Sequence, residues 1–244
     1  MAGSGALILF LHGLGGNRGN WVQQLEFFSR KFKAAAWDAR GYGDSEDYDG
    51  PLDFEDFSRD VLRVADWFEA DRFYLVGLSM GGRIARNVAL REPGRVAGLV
   101  LANTSPGFDA LSPEKVAAFV NERRLLDPAA QARRLISPHA QAGAYEKLVQ
   151  SLGAVHPGSY LKTLEASVTQ DRKAPIEQIH VPTLVVTSDA DPLYPQDLAR
   201  DMARRIPGAE LAVIERAGHL SNLEQPGQFN QVVLEFLNRQ ETSP

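Results

Sequence analysis

The sequence contains no cysteine, and this absence removes several kinds of chemistry at once. Disulfide bonds, thiolate metal sites and a cysteine nucleophile are all excluded. No His-x-x-x-His pair or carboxylate cluster offers another metal site, so we expect a protein without metal or cofactor. Cysteine usage says nothing about the redox compartment, and we take a cytoplasmic location as the simplest interpretation.

Long apolar runs and clusters of basic residues are missing as well. The apolar run at residues 6–11 is too short to cross a bilayer and lacks the flanks of a signal peptide. The chain has 26 Lys and Arg against 31 Asp and Glu, a net charge of -5. This balance argues against nucleic acid or a membrane surface as the partner. We therefore expect a small neutral or uncharged polar ligand, with the oligomeric state left open.

The 244 residues, of which 44% are hydrophobic, are sufficient for one large α/β core. Short apolar runs alternate with helical patterns along most of the chain. Such alternation predicts a mostly parallel, doubly wound sheet whose ligands bind at the carboxyl ends of the strands. The predicted strands lie at residues 6–11, 34–37, 73–78, 96–102, 182–187 and 210–214. The predicted helices lie at residues 21–31, 53–69, 80–91, 196–205 and 227–238.

Residues 105–180 interrupt this alternation with helical patterns that are broken by proline and glycine. We predict a core domain built from residues 1–104 and 181–244, with residues 105–180 inserted as a helical cap. Apolar residues of the cap are expected either to line a pocket or to form the core of the cap: Phe108, Phe119, Leu125, Leu126, Leu135, Ile136, Leu148, Leu152, Tyr160 and Leu161. The three tryptophans, Trp21, Trp37 and Trp67, are predicted to be buried in the core.

Residues 73–85 contain the stretch around which the chain is organised. Gly77 and Gly81 flank Ser79 with the G-x-S-x-G spacing of a sharp strand-to-helix turn that exposes a serine hydroxyl. The following helix is predicted to begin near Met80, so that its free N–H groups face the serine. Taken alone, the motif also fits a glycine-rich turn with a solvated serine. The context of strand, turn and helix favours a nucleophile.

A serine nucleophile needs a base and an acid that orients the base. Asp191 follows the strand that ends near residue 187, and His219 follows the strand that ends near residue 214. The chain order is then Ser, Asp, His. Asp189 lies in the same loop and is an alternative acid. His12 is an alternative base, although we favour a role in shaping its loop.

Together these features resemble the α/β hydrolases over nearly the whole chain. The matching segments are His12-Gly13-Leu14-Gly15-Gly16, the turn at residues 38–45, the Ser79 turn, the Asp191 loop and Gly218-His219. Three further segments are similar to 3-oxoadipate enol-lactone hydrolases and related small carboxylesterases and lactonases: Gly77-Leu78-Ser79-Met80-Gly81-Gly82, Ala102-Asn103-Thr104 and Gly218-His219-Leu220-Ser221-Asn222-Leu223-Glu224. The resemblance implies an α/β-hydrolase fold, here expected to lack the usual N-terminal edge strands.

The resemblance also implies roles for individual residues. Ser79, Asp191 and His219 correspond to the catalytic triad, and the backbone N–H groups of Leu14 and Met80 to the oxyanion hole. It favours Asp191 over the other acid in the loop because of its spacing to the following proline.

The implied activity is that of a cofactor-free serine hydrolase which cleaves a small ester or lactone through an acyl-enzyme. Carbon-carbon bond hydrolysis, hydroxynitrile cleavage and perhydrolysis use the same residues and stay open. A non-catalytic protein that binds a small molecule in the same pocket stays open too. The aspartate nucleophile of dehalogenases and epoxide hydrolases is argued against by Ser79 itself.

Overall fold

A six-stranded sheet forms the centre of the computed structural model, which describes residues 1–109, 111–124 and 127–241. All neighbouring strands are parallel, in the order β2-β1-β3-β4-β5-β6. The strands are β1 (Leu7–Leu11), β2 (Lys33–Ala36), β3 (Phe73–Leu78), β4 (Val96–Ala102), β5 (Thr183–Ser188) and β6 (Glu210–Ile214). From β1 the chain adds β2 on one side of the sheet and then β3 to β6 on the other side, so the strand order reverses between β1 and β3. Ligands of such sheets bind at the carboxyl ends of the strands beside this reversal.

The helices cover both faces of the sheet. They are α1 (Val22–Phe28), α2 (Glu55–Trp67), α3 (Met80–Arg91), α4 (Pro113–Arg124), α5 (Pro128–Arg133), α6 (Ala144–Gly153), α7 (Pro157–Thr169), α8 (Gln196–Arg205), α9 (Ser221–Glu224) and α10 (Pro226–Glu241). The bounds of β4, β6, α3 and α8 agree with those predicted from the sequence. No helix within the described ranges has both the length and the apolarity needed to cross a membrane.

The core consists of two apolar layers, one on each side of the sheet. Leu9 of β1 points into the layer covered by α2, α3 and α8, whereas Ile8 and Phe10 point into the layer covered by α1 and α10. Successive side chains of a strand face opposite sides, so an uninterrupted apolar run is what a doubly covered strand requires. The apolar runs of the sequence therefore became the central strands.

The prediction that all three tryptophans are buried is wrong for one of them. Trp21 and Trp37 are buried, but Trp67 is 72% exposed. Trp67 is the last residue of α2, and its neighbour Phe68 packs against the core instead. At about 100° of rotation per residue, Trp67 lies off the apolar stripe of the helix that contains Phe57 and Val61.

Helices α4 to α7 form the connection between β4 and β5. Helix α5 packs on α6, and α4 packs on α7. Leu148 of α6 belongs to the apolar layer of α1 and α10, and Ala166 of α7 belongs to the opposite layer. This helical connection is thus continuous with the core of the sheet. That residues 105–180 act as a cap stays a prediction.

Candidate active site

The turn between β3 and α3 holds Ser79 in a backbone conformation that only a surrounding structure can enforce. Ser79 has φ 56° and ψ -116°, a strained combination for a residue other than glycine. Its N–H donates to the carbonyl oxygen of Ala102 at 2.9 Å, and its carbonyl oxygen accepts from Oγ1 of Thr104 at 2.6 Å. These two bonds fix the turn to the end of β4.

The two glycines of the motif are required by close approach of backbone to backbone. A Cβ atom on Gly77 would lie 2.2 Å from the carbonyl oxygen of Gly81, and one on Gly81 would lie 2.2 Å from that of Leu11. Neither distance leaves room for a side chain. The sequence motif is therefore a steric requirement of this turn.

Asp191 and His219 meet at the carboxyl ends of the adjacent strands β5 and β6. Nδ1 of His219 lies 3.0 Å from Oδ2 and 3.2 Å from Oδ1 of Asp191. The side chains are only 4% and 0% exposed, so little water competes for this bond. Because a carboxylate can only accept, Nδ1 of the imidazole carries the proton and Nε2 is left available.

Asp191 is held in its charged form by several donors. Burial alone would raise the pKa of Asp191, but His219 and the hydrogen bonds from His219, Asn103 and the Leu193 amide outweigh burial, so the pKa is lowered. Nδ2 of Asn103 donates at 3.0 Å, and the amides of Leu193 and Tyr194 donate at 2.8 Å and 3.1 Å. The carboxylate is therefore ionised and fixed in place.

Asn103 holds a position that the sequence pattern did not single out beyond placing it at a strand end. Besides Asp191, its Nδ2 binds Oγ of Ser188 at 2.7 Å, and its Oδ1 accepts from Oγ of Ser221 at 2.5 Å. Asn103 has φ 43°, a left-handed conformation that asparagine tolerates better than most residues. Its amide group thus joins the ends of β4, β5 and α9 around Asp191.

Asp189, the other acid of the loop, binds elsewhere. Its Oδ2 accepts from the amide of Arg216 at 2.9 Å, and its Oδ1 accepts from the amide of Ala217 at 3.2 Å. These bonds attach the loop after β5 to the loop after β6. The structure therefore brings Asp191, not Asp189, to His219.

His12 is a buried structural histidine in this geometry. Its Nδ1 donates to the carbonyl oxygen of Gly13 at 2.8 Å, and its Nε2 accepts from the amide of Ala39 at 3.1 Å. Burial lowers the pKa of His12, although the bond to Gly13 and the nearby Asp38 oppose this effect. Both ring nitrogens are occupied, so the ring is neutral and joins the loops after β1 and β2.

Leu14 and Met80, the predicted oxyanion-hole residues, belong to two segments that meet at Ser79. Leu14 lines the same cavity as Ser79, and Met80 is the first residue of α3. Within the described ranges, neither amide donates to a backbone oxygen. The preceding loop approaches closely, since a Cβ atom on Gly13 would lie 3.2 Å from Cβ of Ser79. That these two amides form an oxyanion hole stays a prediction.

The histidine loop is anchored by a buried carboxylate that the sequence did not reveal as important. Oε2 of Glu224 accepts from the amides of Gly218 at 2.9 Å and Ser137 at 2.8 Å, and Glu224 is fully buried. The amide of His219 itself donates to the carbonyl oxygen of Leu135 at 2.8 Å. Ser137 and Leu135 lie between α5 and α6. The helical connection therefore holds the loop that carries His219.

Ser79 and His219 line one cavity of about 300 Å³ between the sheet and the helical connection. Six of the proposed cap residues contribute to its wall: Phe108, Phe119, Leu135, Leu148, Leu152 and Tyr160. Ile136 and Leu161 do not line it, and Leu125 and Leu126 lie outside the described residues. Three arginines that no sequence pattern had singled out also lie in the wall: Arg83, Arg123 and Arg134.

The chain is similar to known proteins along most of its length. The sequence profile of a family described as "Alpha/beta hydrolase family" matches residues 8–232. The chain is 28% identical to 3-oxoadipate enol-lactonase 2 of Acinetobacter baylyi, over 95% of this chain and 88% of that protein. It is 31% identical to the putative carbamate hydrolase RutD of Rhizobium rhizogenes, over 94% of this chain and 92% of that protein.

The chain is also similar to a solved structure. A thermophilic esterase from Thermogutta terrifontis, solved with malate bound, superposes with a TM-score of 0.90 at 28% identity, covering 99% of this chain and 92% of the esterase. The fold class and the resemblance to enol-lactonases and esterases inferred from the motifs are thus confirmed.

Proposed function

The chain belongs to the α/β hydrolase family, and from that premise we propose that it is a serine hydrolase that cleaves a small carboxylic ester or lactone. The proposal rests chiefly on one observation. The buried Asp191–His219 pair and the strained Ser79 converge on a single cavity from the ends of different strands. The convergence supports the assignment of Ser79 as nucleophile, His219 as base and Asp191 as the acid that orients the base.

In the proposed first step, Nε2 of His219 removes the proton of Ser79 as Oγ attacks the substrate carbonyl. The carbonyl π electrons move onto oxygen, which accepts hydrogen bonds from the amides of Leu14 and Met80. The carboxylate of Asp191 keeps the proton on Nδ1 and stabilises the imidazolium that forms.

In the second step, the bond from the carbonyl carbon to the leaving oxygen breaks, and His219 protonates the alkoxide. An acyl-enzyme on Ser79 results. His219 then takes a proton from water as the water attacks the acyl carbon, and it returns that proton to Oγ of Ser79 when the acid is released. In a lactone the leaving alcohol stays tethered to the acyl group. Every catalytic group in these steps belongs to the chain, so the proposed reaction calls on no metal or cofactor.

The relatives favour esters and lactones as the substrate class. An enol-lactonase and an esterase are each 28% identical to the chain over nearly its whole length. A carbamate is a second candidate, favoured by the 31% identity to a putative carbamate hydrolase. A carbamate, like an ester, has a carbonyl carbon bonded to an oxygen leaving group, and a serine can attack this carbon in the same way.

A panel of ethyl esters, lactones and carbamates of graded acyl length tests the proposal with Ser79→Ala as the key variant. Loss of a triad serine lowers kcat by a factor of about 10⁶, and we expect a loss on that scale. Ser4→Ala, at an exposed serine, is the matched control and should keep full activity. Unchanged circular dichroism must accompany the loss. Comparable turnover by Ser79→Ala and the wild type, or no turnover by the wild type, would contradict the proposal.

A further inference from the structure

The wall of the active-site cavity is basic, although the chain as a whole carries a net charge of -5. Arg83, Arg123 and Arg134 contribute to the wall, and no carboxylate among the described residues does. The balance of charge at the cavity is thus opposite in sign to that of the molecule. An overall negative charge should disfavour anionic substrates, so a local excess of arginine calls for an explanation.

Two of these arginines already have a counter-ion. Nη1 of Arg83 lies 2.7 Å from Oδ2 of the buried Asp171, and Nη1 of Arg134 lies 2.7 Å from Oε1 of Glu122. Arg123 differs, because no hydrogen bond or ion pair joins its guanidinium to any residue in the described part of the chain. Among the residues that the structure describes, one positive charge of the cavity wall therefore has no protein anion bonded to it.

The side chain of Arg123 is partly buried, which withdraws part of its charge from water. Its guanidinium carbon lies 3.6 Å from the centre of the Phe119 ring, a cation–π contact that offsets part of this cost but accepts no N–H···O hydrogen bond. Burial lowers the pKa of Arg123, while Tyr160 and Glu122 oppose that effect. Arginine nonetheless stays protonated in proteins. A partly desolvated cation that has lost water and gained no anion is stabilised when an anionic ligand supplies the missing bonds.

Arg123 lines the same cavity as Ser79 and His219. Tyr194, whose ring centre is 5.5 Å from that of His219, lines it too. A ligand that fills the cavity therefore lies against both Ser79 and Arg123. The cavity volume of about 300 Å³ suits a short chain of carbon atoms.

We propose that Arg123 binds a carboxylate at the far end of the substrate, so that the preferred substrate is a half-ester of a short dicarboxylic acid. The planar guanidinium matches a carboxylate with two parallel hydrogen bonds, while the ester group lies at Ser79. This inference rests on the proposed function for the reaction itself. It also replaces the expectation of a neutral ligand, which was drawn from the net charge alone.

The test compares two ethyl esters that differ only at the far end of the acyl chain. Monoethyl glutarate carries a carboxylate where ethyl 5-methylhexanoate carries an isopropyl group of similar shape. We expect the wild type to prefer the half-ester by a factor of about ten or more in kcat/KM, because hydrogen bonds to charged groups have this strength. Monoethyl succinate and monoethyl adipate, assayed alongside, give the optimal chain length.

Arg123→Met removes the charge and keeps much of the apolar stem. We expect this variant to raise the KM for the half-ester about tenfold to hundredfold, with kcat changed less than about threefold. The ratio of kcat/KM for the half-ester to kcat/KM for the neutral ester should fall by a similar factor. Arg123→Lys should retain part of the preference, since it keeps the charge without the planar fork. Arg124→Met, at the exposed neighbour on α4, is the matched control and should behave as the wild type.

Binding without turnover gives a second readout. Calorimetry with Ser79→Ala should detect monoethyl glutarate binding that the double variant with Arg123→Met weakens about tenfold or more. Equal kcat/KM for the two esters, or equal loss of both in Arg123→Met, would overturn the role of Arg123. Such results leave the proposed function standing. The proposed function would fail on a different result: no turnover of any ester by the wild type that depends on Ser79.

Discussion

At the scale of single residues, Asp189 and Asp191 share one loop but bind different partners. Asp191 binds the side chain of His219, whereas Asp189 binds two backbone amides. We predict that Asp191→Asn lowers kcat by a factor of about 10⁴, because asparagine favours the wrong tautomer of the histidine. Asp189→Asn should lower kcat less than about tenfold. Steady-state kinetics on one ester measure both.

The reverse result, an inactive Asp189 variant beside an active Asp191 variant, would show that the loop is threaded differently from this structure. Two active variants would place the acid on another strand. Melting temperatures separate catalysis from folding here, since loss of the bonds from Asp189 should appear as reduced stability.

His12 supplies a prediction about acid stability. Its pKa is lowered below 6.5 in the folded state by burial, so the unfolded chain binds a proton more readily. The contribution of His12 to stability is therefore complete above pH 6.5 and is lost as the pH falls toward the lowered folded pKa. We predict that His12→Gln flattens the pH dependence of urea unfolding in that range, whereas His180→Gln, at an exposed histidine, leaves it unchanged.

Asp191 acts in a different pH range, which keeps the His12 experiment interpretable. Its pKa is lowered from 3.8, so its stabilising effect is complete above that pH and is lost only at more acidic values. A wild-type profile that is flat just below pH 6.5, with no difference between wild type and His12→Gln, would argue against a neutral buried His12.

At the scale of secondary structure, the Ser79 turn depends on the first residues of α3. Gly81 is the second residue of α3, and Gly227 is the second residue of α10. A methyl group on Gly81 would lie 2.2 Å from a backbone oxygen, whereas nothing lies within 4 Å of one on Gly227. The two positions form a matched pair.

We predict that Gly81→Ala destabilises the fold by roughly 2–3 kcal/mol, because the backbone must move to admit the methyl group. Gly227→Ala should be neutral or stabilising by up to about 1 kcal/mol, since alanine favours the helix. Denaturant unfolding measures both changes. Equal stability of the two variants would mean that the turn adapts to the methyl group with ease.

The sequence predicted the strands and the Ser79 turn well. It predicted less well which side chains are exposed and which ones contact each other. Continuous apolar runs such as β4 allow only a doubly covered strand, and the Gly-x-Ser-x-Gly spacing allows only a sharp turn, so both could be predicted. Trp67 was misplaced because one residue of helical rotation decides between core and water. Asn103 gains its role through contacts between distant segments, and Arg123 gains its proposed role by lining a cavity that distant segments enclose. No local pattern encodes either.

At the scale of the whole molecule, three buried charges connect α3 with the end of the helical connection. Asp171 lies 2.7 Å from Nη1 of Arg83 and 2.5 Å from Nη2 of Arg86, and each of these side chains is at most 4% exposed. Burial lowers the pKa of Arg86, against the attraction of Asp171. One carboxylate therefore compensates two buried guanidinium groups, which joins the helical connection to the sheet domain.

Removing that carboxylate should be costly. We predict that Asp171→Asn destabilises the protein by roughly 3–5 kcal/mol, because two buried cations lose their anion. Asp109→Asn breaks the exposed pair with Lys173 and should change stability by about 1 kcal/mol or less. Urea unfolding gives both values. A small effect of Asp171→Asn would mean that water or a solute anion reaches the arginines.

The bonds from Leu135 and Ser137 to the histidine loop have a consequence for the catalytic cycle. If the helical connection swung away to admit a substrate, the amide of His219 would lose its acceptor and Glu224 would lose one of its donors. Opening the cavity and holding the histidine in place would then be competing states of one equilibrium. Turnover would then require the closed state. A substrate that keeps the cavity open would bind but would not react.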